Sequence, residues 1–214
     1  MVLAAVGVPL ALLAVVASLV PRDADGISSL YHTATALGVV GTVLLGARGL
    51  SFPRLLVFNA GQALLLSGLV TLAGVTWGHI DPAPHAKAVG LFFELAVVGG
   101  VARALAARPR LAVGVAIGVA VLGQYVYPLN RAADHLPAAP ARIAKAVVAP
   151  IPDMRLFDTE TVVRAGEPHG RHLLGAVAYG SAWLVALAVA TVLARPGTDP
   201  LAAEEETPCP PNAT

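Results

Sequence analysis

Charged side chains are scarce in this 214-residue sequence. Asp, Glu, Lys and Arg make up 13% of the residues, whereas a soluble globular domain carries about 25%. Hydrophobic residues reach 57% and the mean hydropathy is +0.74, which excludes a soluble enzyme of ordinary composition and a disordered chain. Because the formal net charge is only +1, no broad basic field attracts nucleic acid, and no nucleic-acid partner is expected.

The sequence also lacks the motifs of familiar catalytic and metal sites. Its single cysteine, Cys209, excludes an internal disulfide and any cysteine-based zinc or iron–sulfur site. No Gly-x-x-x-x-Gly-Lys-Ser/Thr phosphate loop, Gly-x-Ser-x-Gly or His-Glu-x-x-His pattern occurs. We therefore expect that this chain is not an enzyme and that it holds no cofactor, metal or ATP of its own.

Long apolar runs are what the sequence has instead. A helix needs about 20 mostly apolar residues to cross a bilayer, and lipid offers no partner to unpaired backbone groups. The sequence predicts an all-α polytopic membrane bundle that contacts membrane lipids. It forms one transmembrane domain (1–195) with a disordered cytoplasmic tail (196–214), and its six spans lie at about residues 1–21, 27–47, 55–79, 87–107, 111–128 and 172–194.

The first span has two interpretations. Its length and the Ala17-Ser18 pair near its end suit a signal peptide that is later cleaved. However, no Lys or Arg precedes the apolar run, and the run is longer than an ordinary signal-peptide core. These two features favour a retained helix, with cleavage as the open alternative.

The distribution of arginine over the short loops predicts the orientation. The loop 48–54 holds two Arg and no acid, and the loop 103–110 holds three Arg and no acid. The loops 22–26 and 81–87 together hold one Arg and one Lys with three Asp. Since cytoplasmic loops are enriched in Lys and Arg, we expect the arginine-only loops and both termini to be cytoplasmic, in a cytoplasmic (inner) membrane.

A long connection, residues 129–171, falls on the outer side in this topology. Connections of this length usually carry structure or function of their own. Residues 142–149 are amphipathic, which suits a short helix in the membrane interface. Pro150 and Pro152 should end that helix, because neither proline can donate to its hydrogen-bond ladder.

The stretch after these prolines is expected to form a cap. Leu156 and Phe157 are apolar and poorly suited to water, so we expect them to fold onto the outer ends of spans five and six. Asp158 could then cap a short helix that begins at Thr159, because an Asp side chain accepts hydrogen bonds from the first backbone N–H groups of a helix.

Glu94 is the one ionisable residue well inside a predicted span. A carboxyl there is costly unless it is paired or protonated, which makes an intramembrane acid a functional candidate. The other interpretation is a hydrogen-bonded glutamate that fixes helix packing. Asn59, Gln62 and Gln124 are candidate partners from neighbouring helices.

All six histidines fall on the outer side of the predicted topology. A pair on facing helices could ligate haem, and a looser group could hold a metal ion. The simpler interpretation is that these amphipathic rings lie at the membrane interface. Their spacing matches no ligand pattern, so the metal or haem site stays an alternative, formed by His32, His79, His85 and His172.

The C-terminal half carries motifs that resemble a transporter family. The motifs are Phe92-Phe93-Glu94-Leu95, Val121-Leu122-Gly123-Gln124, the stretch 149–158 and Ala178-Tyr179-Gly180. Over about residues 90–195 the sequence therefore resembles the permease subunits of ABC-2 type transporters, and most the permeases described as involved in multi-copper enzyme maturation.

The resemblance implies a function and partners. Such a permease works with a separate cytoplasmic ABC subunit that binds ATP, and it pairs as a homodimer or with a second permease to export or flip a substrate. ATP would thus act through the partner. A haem- or quinone-binding anchor of a redox complex and a structural assembly subunit are the alternatives.

The resemblance also assigns roles to two loops. It implies a loop that couples to the ATPase, formed here by Arg48, Ser51, Pro53 and Arg54. It implies a cap over the outer mouth of the pathway, formed here by Pro150, Pro152, Phe157 and Asp158. The first half departs from the family pattern, because the first cytoplasmic loop is short and has no acidic residue.

Overall fold

The described part of the chain is built from helices. The computed structural model describes residues 2–79, 84–158 and 169–193, and every regular element in these ranges is helical, which confirms the all-α fold class. A 3₁₀ helix lies at Met154–Phe157. The α-helices are α1 Val2–Leu19, α2 Ala24–Ala47, α3 Phe52–Thr76, α4 Pro84–Ala104, α5 Pro109–Gly123, α6 Val126–Ala133, α7 Ala138–Val148 and α8 His169–Leu193.

Four of these helices, α2, α3, α4 and α8, are long and apolar enough to cross a membrane. A fifth span is present if α5 and α6 count together, although this pair bends by 59° at its break. The chain is therefore a helical membrane bundle with four or five such spans in its described ranges. α1 covers 18 residues of the first predicted span, and the count of six spans stays a prediction.

Span five differs from the straight helix predicted over residues 111–128. α5 ends at Gly123, and the chain turns through Gln124 and Tyr125 before α6 begins. Pro128 explains the break. In a continuous helix its ring would collide with the carbonyl of Gln124, whereas in the first turn of a new helix it is tolerated.

α4 is the central helix of the bundle. It packs against α2, α3, α5 and α8, and most of its residues are buried. Glycines permit two of these contacts. A Cβ on Gly46 of α2 would lie 2.6 Å from the carbonyl oxygen of Gly99, and one on Gly180 of α8 would collide with the Phe93 ring. Small residues at such crossings let membrane helices approach closely.

Two apolar clusters flank α4. One joins α4, α5 and α8 to the 3₁₀ helix and includes the buried residues Val97 and Phe157. The other joins α1, α2 and α3 to α4 and includes Leu30, Leu66 and Leu95. Because α4 contributes to both clusters, the interior of the bundle is continuous through this helix.

The predicted interfacial helix corresponds to α7. It ends two residues before Pro150, which is exposed, whereas Pro152 is buried. α7 packs against α6, and the Lys145 ammonium donates a hydrogen bond of 2.5 Å to the Asp134 carboxylate. This hydrogen bond, with the positive charge of Lys145, lowers the pKa of Asp134. The long connection thus contains short helices, as expected.

The connections α2–α3 and α4–α5 lie at the same end of the bundle. Gly46, near the end of α2, lies against Gly99, Ala102 and Arg103, near the end of α4. We call this the arginine end, because it carries Arg48, Arg54, Arg103, Arg108 and Arg110.

Candidate functional site

A cavity of about 600 Å³ lies between α2, α4 and α5 and reaches Asp158, directly after the 3₁₀ helix. Much of its wall is apolar and includes Val40 from α2 and Ile117 and Val121 from α5. These three side chains are exposed, so the cavity opens sideways between α2 and α5. Its volume falls in the range of small-molecule pockets, about 300–1,000 Å³.

A buried carboxyl group marks the polar part of this cavity. Glu94 lines it and is only 7% exposed. The Gln124 side chain donates a hydrogen bond of 3.3 Å from Nε2 to Oε1 of Glu94. The break after α5 places Gln124 there, since Gln124 is the C-cap residue directly after that helix. Asp158 lines the same cavity, so two carboxyl groups from distant parts of the chain face one space.

Asn59 and Gln62 are not partners of Glu94 in the structure. Both are buried on α3, and their side-chain nitrogen and oxygen atoms have no hydrogen-bond partner in the described ranges. Asn59 lies beside Gly99, where an added Cβ would be 3.4 Å from its Nδ2 atom. Gly99 follows Glu94 by five residues, which is about 140° around the helix. α3 therefore meets a different face of α4.

Tyr31, His32 and Thr35 of α2 also line the cavity. The Tyr31 hydroxyl donates a hydrogen bond of 3.3 Å to the backbone carbonyl of Lys87. The Lys87 ammonium lies 5.8 Å from the centroid of the Tyr31 ring, and Lys87 is itself only 4% exposed. A cation over an aromatic face is stabilised by the ring quadrupole, so this pair fixes the start of α4 against α2.

Residues 150–158, which we call the cap segment, pack onto the bundle through Phe157 and Met154. Phe157 is fully buried, and its ring centroid lies 6.1 Å from that of Phe93 and 5.9 Å from that of Tyr179. These contacts place Phe157 on α8, which is the predicted sixth span, and on α4 instead of the predicted fifth span. Met154, also fully buried, belongs to the 3₁₀ helix that contacts α5.

Asp153 fastens the cap segment. Its backbone N–H donates a hydrogen bond of 2.8 Å to the Tyr179 hydroxyl, and its carboxylate accepts one of 3.1 Å from the backbone N–H of Arg155. Partial burial raises the pKa of Asp153, against the opposing effect of the Arg155 hydrogen bond. Asp153 is thus the N-cap of the 3₁₀ helix. The helix predicted to start at Thr159, with Asp158 as its cap, lies outside the described residues.

The four histidines proposed as a metal or haem group do not gather into one site. Within the ranges that the structure describes, no group of three or more His, Cys, Asp or Glu side chains is placed to hold a metal ion. His32 lines the cavity, and the buried Nε2 atom of His172 on α8 has no partner in those ranges. His79 follows α3, and His85 lies in the first turn of α4.

The residues of the predicted coupling loop lie at the arginine end. Arg48 and Arg54 are exposed. Ser51 precedes α3 without a side-chain capping bond, and Pro53 lies in the first turn of α3, where a missing N–H costs nothing. Arg48 also lines a second cavity, of about 420 Å³, together with Arg110 of α5.

Three residues support the site although the sequence analysis assigned them no role there, namely Tyr31, Lys87 and Tyr179. Lys87 could have been found from its spacing. It precedes Glu94 by seven residues, or two helical turns, and so shares a face of α4 with it. The contact between Tyr179 and Asp153 joins residues 26 positions apart, and no local pattern indicates it.

The cavity therefore suits an elongated molecule with an apolar body and one polar end. Its polar groups are carboxyl, amide, hydroxyl and imidazole groups, and its apolar wall opens between two exposed helix faces. Comparison with family models, with curated proteins and with solved structures finds no match for this chain.

Proposed function

We propose that this protein is the membrane-spanning permease subunit of an ABC-2 type transporter, which exports or flips a substrate with energy from a separate ATP-binding subunit. The observation that carries the proposal is the arginine end. Arg48 and Arg110, from two different connections, line one cavity of about 420 Å³ there. This arrangement provides a basic surface at which a soluble partner could dock.

The geometry of the arginine end suits the transmission of a movement from a docked partner to the helices of the bundle. Only residues 48–51 join α2 to α3, and Gly49 takes a positive φ of 81° in this turn. Both helices pack against α4, which carries Glu94. A displacement of the connection would therefore move two helices that contact the central one.

The energy source is proposed from the charges inside the bundle. Transport driven by an ion gradient usually relies on several intramembrane charges. In the described ranges, the buried acidic and basic side chains are Glu94 and Lys87. The sequence has no phosphate loop of its own, so ATP hydrolysis in a partner is the energy source that we favour.

A second permease chain completes the proposed assembly, as a homodimer or as a pair with another permease. α8 is the least buried of the four candidate spans, since only 17% of its apolar stretch is buried inside the bundle. Its exposed apolar surface could face lipid or a second permease. We place the assembly in the cytoplasmic membrane with the arginine end inside.

Co-purification tests the partner. The tagged full-length chain, extracted from its native membrane, should bring down a protein that has a phosphate loop, and the preparation should hydrolyse ATP. Replacing both Arg48 and Arg54 with Gln should lower the recovered ATPase about tenfold, which corresponds to about 1.4 kcal/mol of lost binding. Insertion into the membrane should not change.

The matched control is Arg142→Gln, which removes an exposed arginine of α7. Recovery of the ATPase should stay at the wild-type level in this variant. Equal recovery from the Arg48/Arg54 variant would remove the loop from the mechanism. A wild-type chain that brings down no ATP-hydrolysing protein would contradict the permease function itself.

Cysteine labelling tests the orientation. With Cys209 replaced by Ser, a membrane-impermeant maleimide added outside should label a cysteine at Ala139 of α7 and should not label one at Ala106 of the α4–α5 connection. The reason is that arginine-rich loops stay in the cytoplasm. The reverse pattern would overturn the topology.

A further inference from the structure

The cavity between α2, α4 and α5 combines acidic groups with an apolar wall that opens sideways. From this combination we infer that the cavity binds an aliphatic amine, with its ammonium group at Glu94 and Asp158 and its alkyl chain between α2 and α5. The inference goes beyond the proposed function, because binding of the amine requires no ATPase partner.

The first argument is charge. Two carboxyl groups, those of Glu94 and Asp158, line the cavity, and none of the described residues that line it is Lys or Arg. The nearby Lys87 ammonium lies over the Tyr31 ring and is not part of the lining. A carboxyl group held in an apolar environment is stabilised by an opposite charge, and an ammonium ion provides that charge with three hydrogen-bond donors.

The second argument is access. Val40, Ile117 and Val121 line the cavity and are 53%, 44% and 54% exposed. In a bilayer this exposed edge faces acyl chains, not water. A ligand can therefore enter from the membrane with its chain along α2 and α5, and only its polar head needs to reach the interior.

The third argument is discrimination. A fatty acid has the same apolar chain, but its carboxylate would lie against two carboxyl groups and would find no opposite charge, which is costly in a desolvated site. A fatty alcohol gains hydrogen bonds without charge pairing. Hydrogen bonds to charged groups are roughly twice as strong as neutral ones, so the amine should bind best of the three.

Photolabelling tests the inference. The full-length protein, in nanodiscs of phosphatidylcholine, is exposed to diazirine-bearing dodecylamine, dodecanol or dodecanoic acid at equal concentration. Peptide mapping should place the amine label on α2 and α5 at Val40, Ile117 or Val121. Labelling by the amine should exceed that by the alcohol and the acid about tenfold, since one charge pair is worth a factor of that order.

Two variants and a control sharpen the test. Glu94→Gln keeps the shape of the side chain and an oxygen that can accept the Gln124 hydrogen bond, and it should lower amine labelling severalfold without changing alcohol labelling. Val121→Trp fills the entrance at an exposed position and should reduce labelling by all three probes. Asp134→Asn removes a carboxyl outside the cavity and should leave every probe unchanged.

The amine could be a bilayer lipid or a free amphiphile, and competition separates these sources. Loss of amine labelling in nanodiscs that contain phosphatidylethanolamine assigns the site to aminolipids. Persistence of labelling there assigns it to free alkylamines. Equal labelling by all three probes, label outside α2 and α5, or amine labelling unaffected by Glu94→Gln would overturn the inference, whereas the ATPase pull-down would be unaffected.

Discussion

Phe157 anchors the cap segment, and its truncation should open that segment. The side chain is fully buried between the rings of Phe93 and Tyr179, at centroid distances of 6.1 and 5.9 Å. Truncating a buried Phe to Ala costs about 3–5 kcal/mol. Met154 and the hydrogen bond of Asp153 still hold the segment, so we take the lower limit. A cost of about 3 kcal/mol raises the open population about a hundredfold.

Limited proteolysis measures this opening. Arg155 is an exposed trypsin site within the cap segment, but cleavage there requires the segment to leave the bundle, because a protease acts on locally unfolded chain. In detergent, cleavage after Arg155 should be about a hundredfold faster in Phe157→Ala. Phe157→Leu, which keeps much of the buried volume, should lie between Phe157→Ala and the wild type.

Two references separate local opening from general damage. Ile143→Ala truncates a side chain of α7 that is 67% exposed, and its cleavage after Arg155 should match the wild type. Cleavage after Arg48, in the α2–α3 turn, should be the same in all variants. If Phe157→Ala were cleaved within twofold of Ile143→Ala, the contacts of Phe157 would not hold the segment, and our reasoning would be refuted.

Two further predictions concern packing and charge. Gly180→Val should lower the melting temperature in detergent, because its side chain would collide with the Phe93 ring of α4. Gly175→Val should not lower it, since a Cβ at Gly175 meets no atom within 4 Å. Lys145→Gln should raise the lowered pKa of Asp134 towards its ordinary value, as read from a carboxyl NMR titration, because Lys145 is the main cause of the lowering. In the wild type, the stabilisation from this pair is present above the ordinary pKa of Asp134 and is lost as the pH falls through the lowered value.

Apolar run length predicts most of the helices, because lipid forces long apolar segments to form them. The predicted span 27–47 corresponds to Ala24–Ala47, and 55–79 corresponds to Phe52–Thr76. Hydropathy fails at span five, where the apolar run continues past a structural break. The run has no charged residue at that break, and neither Gln124 nor Tyr125 interrupts its hydropathy, so the ring of Pro128 is the clearest local signal for the break.

The site is harder to predict than the fold. Glu94 can be identified in the sequence because a carboxyl group in an apolar helix is energetically costly. Gln124 was one of three amides that could have been its hydrogen-bond partner. Choosing among the three requires the rotation of each helix about its axis, which depends on the packing at Gly46, Gly99 and similar contacts. Sequence periodicity gives little help, because most faces of α4 are apolar.

The central position of α4 has a consequence for biosynthesis. Of its four neighbours, α2 and α3 precede it in the chain, whereas α5 and α8 follow it. Gln124 leaves the ribosome 30 residues after Glu94, a delay of about 2–6 s at ordinary rates of translation. During this delay the Glu94 carboxyl lacks its Gln124 partner, and we expect α4 to stay beside α2 and α3 at the site of insertion. The bundle can close around Glu94 only once α5 has been made.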